Sequence, residues 1–316
     1  MVATFITSRA ANPRQALLLA SCFSLLGALT GGNAVADTVS SLIDLPAGEA
    51  LLPVIFAALG GAIIWNIFTW YSGIPSSSTH SLVGAMIGAV WLSGGPENIL
   101  WGWRAFTGAG HEMIGMVKIV IALLISPVIG FGAAFVLQKI TKVLLINASS
   151  KINLTINRIQ WIIISLLAYA HGANDSQKAA GLIVLALVSA GELQVSGSPL
   201  WVRMAVGFAI FTGTLIGGVP VMKTVGRKIY EVRPLHSLNS QLAAGGAILG
   251  ATFSGAPVST GHVIVGSVTG VGSADEYKMV KWRTGANIIV TWVVTIPASA
   301  IIAGLIYLFI RSFFPY

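Results

Sequence analysis

Charge is what this chain most lacks. Only 9% of its 316 residues are Asp, Glu, Lys or Arg, against about 25% in an ordinary soluble domain. A soluble globule covers its surface with charge, and 18 basic and 10 acidic side chains cannot clothe a body of this size. Cysteine is nearly absent as well: Cys22 stands alone, which excludes a disulfide-stapled secreted scaffold. The Lys and Arg residues are scattered with no basic cluster, so the net charge of +8 does not argue for nucleic acid. No nucleophile–base set or metal-ligand spacing stands out, and His111-Glu112 lacks the second His of a zinc peptidase motif, so an enzyme is not expected. What is plentiful is apolar. Hydrophobic residues make up 55% of the chain and mean hydropathy is +0.84, which leaves an all-α polytopic membrane protein.

Apolar runs long enough to span a bilayer fall at about 15–36, 49–72, 113–138, 158–190, 199–222 and 284–312. The shorter stretches 75–93, 240–256 and 257–272 are interrupted by Gly, Ser and Pro, and read as half-helices or re-entrant hairpins. The first run begins too late and lacks a cleavage pattern, so no signal peptide is expected. Loops 139–158 and 223–239 carry the Lys and Arg excess and are expected on the cytoplasmic side; 37–49 and 191–198 carry only acids and are expected outside.

The chain reads as one unit written twice. Pro13, Gly31, Gly32, Thr38 and Val39 recur 186 residues later as Pro199, Gly217, Gly218, Thr224 and Val225. Pro75, Ser77, His80, Gly84 and Gly88 recur 182 residues later as Pro257, Ser259, His262, Gly266 and Gly270. Equivalent loops fall on opposite sides of the membrane, which is the inverted-repeat plan of secondary transporters. The expected organisation is a first repeat over 1–138, a cytoplasmic linker over 139–157 and a second repeat over 158–316.

Two places carry chemistry. The run 158–190 contains His171-Gly172-Ala173-Asn174-Asp175-Ser176-Gln177-Lys178 at membrane depth, where an unpaired charge costs several kcal/mol and ionisable residues are functional by default. Gly172 is expected to break the helix and free carbonyls; with Asn174 and Asp175 these make a hard oxygen set suited to Na⁺ or to a proton. A self-satisfied Asp175–Lys178 pair is the plain alternative. The second place is Pro75-Ser76-Ser77-Ser78-Thr79-His80 and its twin Pro257-Val258-Ser259-Thr260-Gly261-His262. Pro with Ser or Thr marks a helix N-terminus, whose free N–H groups and dipole attract an anion. Two such ends, related by the repeat, can clamp one oxyanion between them; ordinary capping is the alternative. His80 and His262 suit donation to the anion, a proton relay or simple bracing of the loop.

Taken together, Gly-Ala-Asn-Asp at 172–175 with Lys178 and the two Pro/Ser/Thr/His segments resemble the inorganic phosphate transporter (PiT) family over essentially the whole chain. The resemblance implies symport of inorganic phosphate with Na⁺ or H⁺ across the plasma membrane by alternating access, with no cofactor beyond the transported ion. It implies phosphate, a coupling cation and the lipid bilayer as partners, no nucleic acid, and room for a homo-oligomer. It makes Asn174 and Asp175 cation ligands (for Na⁺ if sodium-coupled), with Gly172 and Lys178 in the coupling region. Ser76, Ser77, Ser78, Thr79, Ser259, Thr260 and Gly261 become the phosphate cradle, and His80 and His262 serve the anion or a proton. Sulfate carriers share these patterns, so a sulfate symporter stays open, as do an anion channel and a transport-impaired homologue. In the family each half carries an Asn-Asp motif. Here Met1-Val2-Ala3-Thr4 aligns with Ala179-Ala180-Gly181-Leu182, just after Lys178, so the first repeat is expected to be N-terminally truncated.

Overall fold

The computed structural model describes residues 2–44, 51–74, 76–193, 197–216 and 229–313. Pro75, Gly217, Gly218, Thr224 and Val225, all part of the sequence pattern above, lie outside the described residues. Among the described residues the chain is helical, and the one extended pairing is an isolated bridge between Ile43 and Ile99. The helices of the first half are α1 (Ala3–Thr7), α2 (Pro13–Thr30), α3 (Ala34–Ser40), α4 (Leu51–Tyr71), α5 (Ser78–Gly94), α6 (Trp103–Thr107) and α7 (Gly115–Leu144). Those of the second are α8 (Ile152–Ser189), α9 (Leu200–Ile216), α10 (Pro234–Phe253), α11 (Thr260–Glu276) and α12 (Trp282–Phe313).

Helices α4, α7 and α12 are each long and apolar enough to cross a membrane; α2 and α3, bent by 72° at Gly31-Gly32, make a fourth span if counted together. Gly32 has φ +85°, which an L side chain resists, and this lets the chain turn there. Helix α7 continues to Leu144 and α8 begins at Ile152, so residues 145–151 join them.

The two halves interlock. The hairpin α4–α5 of the first packs against α12, the last helix of the second, while the hairpin α10–α11 of the second packs against α7, the last helix of the first. The recurring glycines explain the contact. A Cβ at Gly84 or Gly88 on α5 would collide with the carbonyls of Ile296 or Ala300 on α12; one at Gly266 or Gly270 on α11 would collide with those of Pro127 or Phe131 on α7. Small residues four apart let two helices approach backbone to backbone, the common device of membrane helix pairs. Each partner helix carries an internal proline near the crossing, Pro127 in α7 and Pro297 in α12. Buried apolar side chains form two main cores, one joining α4, α5 and α12 through Val54, Ala58, Ala89 and Ala303, the other joining α8, α10 and α11 through Leu167, Ile248 and Val263.

One expectation is overturned. Helix α8 runs unbroken from Ile152 to Ser189, so Gly172 does not interrupt it or free carbonyls. Its role is steric: a Cβ at Gly172 would lie inside the carbonyl group of Ser24 on α2, and Gly27 and Gly31 on α2 meet Tyr169 and Ala173 on α8 in the same way. The glycine serves a helix crossing.

Candidate functional site

Helix α8 carries the polar residues of the site on its buried central stretch, whereas Ile159, Ile162 and Leu166 nearer its start are exposed. Asn174, Gln177 and Lys178 are buried there, as are Ser176 and Ala173 beside them. The hairpins supply the other wall. Helix α5 is capped by Ser77, whose hydroxyl accepts the His80 N–H at 3.1 Å, and α11 by Ser259, which accepts the His262 N–H at 3.4 Å. The capping reading of these serines is therefore realised. It leaves the opening N–H groups of each helix, at Ser78 and Thr79 and at Thr260 and Gly261, without a carbonyl inside the helix. Ser78 and Gly261 are exposed, and no atom lies within 4 Å of where a Cβ at Gly261 would stand.

The two helix ends touch. Thr79 donates its hydroxyl to the Val258 carbonyl at 3.0 Å. Lys178 ties both to α8, donating to the Thr79 hydroxyl at 2.8 Å, to the Val258 carbonyl at 2.6 Å and to Asp175 Oδ1 at 2.5 Å. Asp175 Oδ2 accepts from the Thr260 hydroxyl at 3.1 Å and lies 3.0 Å from His171 Nδ1. The Asp175–Lys178 pair thus exists, but it reaches beyond itself: Lys178 touches both hairpins and Asp175 touches the second. An ammonium has no lone pair and cannot ligate a cation, and its three N–H groups are taken by Thr79, Val258 and Asp175, so Lys178 brings positive charge to this point rather than a free donor.

Asn174 is fully buried. Its Nδ2 donates to the Thr252 hydroxyl at 3.0 Å and the Ala256 carbonyl at 3.2 Å. Thr252 itself donates to the Ile248 carbonyl at 2.8 Å, so both neighbours act as acceptors and the amide orientation is determined. That leaves Asn174 Oδ1 buried with no hydrogen-bond partner, an arrangement that ordinarily costs about 1–3 kcal/mol. An amide oxygen left open in this way has the chemistry to ligate a hard cation.

The two histidines meet near the helix ends. Their ring centroids are 4.6 Å apart, His80 Nδ1 lies 2.8 Å from Ser77 Oγ, and His262 stacks on Trp292 of α12 at 3.4 Å. His262 Nε2 is buried and unpartnered. Ser76 turns away and pairs with Thr69 at 2.6 Å.

Three residues of the site have partners that the sequence did not signal. Trp292 braces His262 from the far end of the chain. His171 reaches Thr260 at 3.1 Å across 89 residues. Gln177 holds the bend between α2 and α3, accepting the Val35 N–H at 2.8 Å and donating to the Gly31 carbonyl at 2.8 Å, so it satisfies both groups freed by that bend. A buried amide placed amid charged neighbours was the available signal. A cavity of about 880 Å³ runs between α7 and α10 and is lined mainly by apolar side chains; it does not lie between the helix ends. Among the described residues no three His, Cys, Asp or Glu side chains cluster as a metal site.

The profile described as the phosphate transporter family matches residues 1–303. A Bacillus subtilis (strain 168) protein named "Probable low-affinity inorganic phosphate transporter" is 37% identical over 99% of this chain and 91% of its own length. A Rhizobium meliloti (strain 1021) protein of the same name is also 37% identical, over 97% of this chain and 88% of its own. Among solved structures, one titled "The sodium-dependent phosphate transporter" superposes with a TM-score of 0.87, covering 98% of this chain and 93% of that one at 24% identity. At that identity the superposition speaks for the fold.

Proposed function

We propose that this chain, a multi-pass membrane protein that belongs to the phosphate transporter family, carries inorganic phosphate across the plasma membrane in symport with sodium by alternating access. The observation that carries the reading is Lys178. One buried ammonium bridges the N-terminal end of α5, through Thr79, and the turn before α11, through Val258. An oxyanion at the meeting point of those helices finds N–H donors from both, the exposed hydroxyl of Ser78 and a nearby positive charge; the Thr79 and Thr260 hydroxyls already donate to Val258 and Asp175 and fix the helix ends in place. The orphaned Asn174 oxygen supports sodium as the coupling ion, since an amide oxygen ligates a cation and cannot carry a proton at neutral pH. Cation and anion bound together lower each other's desolvation cost, and this is the physical root of coupling.

The interlocked halves support a rocking motion in which one hairpin with its partner helix moves against the other. The Lys and Arg excess supports a cytoplasmic position for the α7–α8 connection, and the acidic stretch 37–49 an external one. The bilayer, phosphate and sodium are then the partners.

Radiolabelled phosphate uptake in cells stripped of their own phosphate transporters tests the reading. Saturable uptake that requires a sodium gradient and resists excess sulfate supports it. Uptake that follows a proton gradient, or is abolished by sulfate, replaces sodium or phosphate respectively. Downhill flux without accumulation overturns symport.

A further inference from the structure

Thr38 belongs to the recurring pattern, yet the site just described leaves it without a task. It is buried on α3, and its hydroxyl donates to the Gly255 carbonyl at 2.7 Å. Gly255, with φ +64°, forms the sharp turn between α10 and α11. Gly73, its counterpart between α4 and α5, has φ +66°. Three residues further along that turn, Val258 accepts from Lys178, and the intervening Ala256 accepts from Asn174. The Thr38 contact therefore pins one end of the segment that frames the site.

Lys118 of α7 completes the junction. Its ammonium donates to the Thr38 hydroxyl at 3.2 Å and lies close against Gly255. Among the described residues no carboxylate is within ion-pair distance of it. A cavity of about 400 Å³ opens directly over the junction, lined by Asp37, Thr38, Ser41, Lys118, Phe253 and Ser254. Asp37 faces the same space, so the cavity holds one ammonium and one carboxylate, and any pull on an anion is local to Lys118. A neutral hydroxyl is a weak partner for an ammonium compared with a phosphate oxygen, and lysine's flexible stem allows the exchange. Aligning α7 with α12 on their internal prolines sets Ile288 opposite Lys118. The equivalent position thus carries an ammonium in the first half and an apolar side chain in the second.

We propose that Lys118 is a substrate-positioning residue that captures phosphate in the cavity over Thr38 and Gly255, on the face assigned above as external, before the anion reaches the helix ends. While Lys118 donates to Thr38 it polarises the hydroxyl and strengthens the Thr38–Gly255 bond. Turning to the anion, it releases that support, so arrival of substrate loosens the contact lying between cavity and site.

The inference rests on the phosphate reading, and the test separates the two. Phosphate transport is measured in right-side-out and inside-out vesicles for the wild-type chain, Lys118→Met and Lys118→Arg, each normalised to protein in the membrane. Lys118→Met is expected to raise KM for external phosphate about tenfold, as for the loss of one ion pair worth about 1.4 kcal/mol. Its kcat for uptake should stay within about twofold and KM from the opposite face should be unchanged; because the transported solutes' equilibrium ties kcat/KM in the two directions, the matching loss in efflux should appear as a roughly tenfold lower efflux kcat. Lys118→Arg, which keeps the charge, should restore the external KM to within about threefold of wild type. An unchanged external KM in Lys118→Met, an equal rise on both faces, or failure of arginine to rescue overturns the proposal. A wild-type chain that moves no phosphate overturns the phosphate reading instead.

Discussion

Lys178 and Thr79, 99 residues apart, meet through a 2.8 Å hydrogen bond that joins the centre of α8 to the first turn of α5. The same ammonium neutralises Asp175 and holds the Val258 carbonyl, so it is at once a structural tie and the positive charge of the site. Removing one member of a buried ion pair costs about 3–5 kcal/mol, because the other is left uncompensated. Lys178→Met should therefore lower the thermal midpoint in detergent and abolish phosphate uptake. The double variant Lys178→Met/Asp175→Asn should recover most of the stability and none of the uptake. Recovered uptake in the double variant would remove Lys178 from the anion site.

Asp175→Asn alone keeps the shape of the side chain while discarding its charge. Lys178 then faces an amide, and cation-driven accumulation should fall at least about a hundredfold, the scale of an intramembrane charge left unpaired. Uptake driven as in wild type would refute a coupling role for the carboxylate.

Asn174→Ala removes the unpartnered oxygen and the amide that bonds Thr252 and Ala256. Expected is a rise of about tenfold or more in the sodium concentration giving half-maximal uptake, with the phosphate KM at saturating sodium changed far less. Loss of a single oxygen ligand has that scale. Parallel shifts in both constants would place Asn174 at the anion instead.

Gly172→Ala separates the steric role of this glycine from the helix-breaking one expected from sequence. Alanine is the better helix former and would favour a continuous α8 by about 1 kcal/mol, yet its Cβ would press on backbone atoms of Ser24 that cannot yield cheaply. Overpacking of this kind costs about 1–3 kcal/mol, so the variant should melt earlier and transport poorly. A variant as stable as wild type would mean that α2 and α8 can part at that point.

The same glycine shows where sequence stops being legible. The spans, the hairpins and the paired Ser/Thr segments follow from hydropathy, from Pro and Ser at helix starts, and from repetition; the helices at 51–71, 78–94, 115–144 and 260–276 lie close to where those signals put them. Whether a glycine in an apolar run breaks a helix or admits a neighbour depends on the neighbour, and Ser24 is 148 positions away by numbering alone. His171, Gln177 and Trp292 are obscure for the same reason. Each acquires its role from a partner on another helix, Thr260, Val35 and His262 respectively. Asn174 and Asp175 were visible because polar groups at membrane depth need a reason to be there, but that Asn174 leaves its oxygen open could be read only from the directions of Thr252 and Ala256.

A last prediction concerns pH and a cluster beyond the spanning segments. Asp275, at the end of α11, receives Lys142 of α7 at 2.6 Å, His236 of α10 at 3.1 Å and the Tyr230 hydroxyl at 3.4 Å. His236 Nδ1 accepts the Arg233 N–H at 3.2 Å, so the ring proton sits on Nε2 and is donated to Asp275. Burial would raise the carboxyl of Asp275, but the hydrogen bond from Lys142 and the neighbouring His236 hold it below its usual value. Burial lowers His236 below 6.5, outweighing the opposing pull of Asp275. Burial and the adjacent Asp275 push Tyr230 up to about 12, so it stays a neutral donor. A histidine whose folded value lies below its unfolded value favours the folded state above pH 6.5, and that contribution is lost as pH falls toward the lower folded value. The depressed Asp275 adds a second loss only below about pH 4, in the unfolded carboxylate range. The thermal midpoint should thus decline between pH 7 and 5, and His236→Gln, which keeps a donor but cannot titrate, should shrink the decline. Lys142 is largely exposed, its attraction is screened, and Lys142→Met should leave the slope nearly unchanged. A slope that persists undiminished in His236→Gln would assign the pH response to another group.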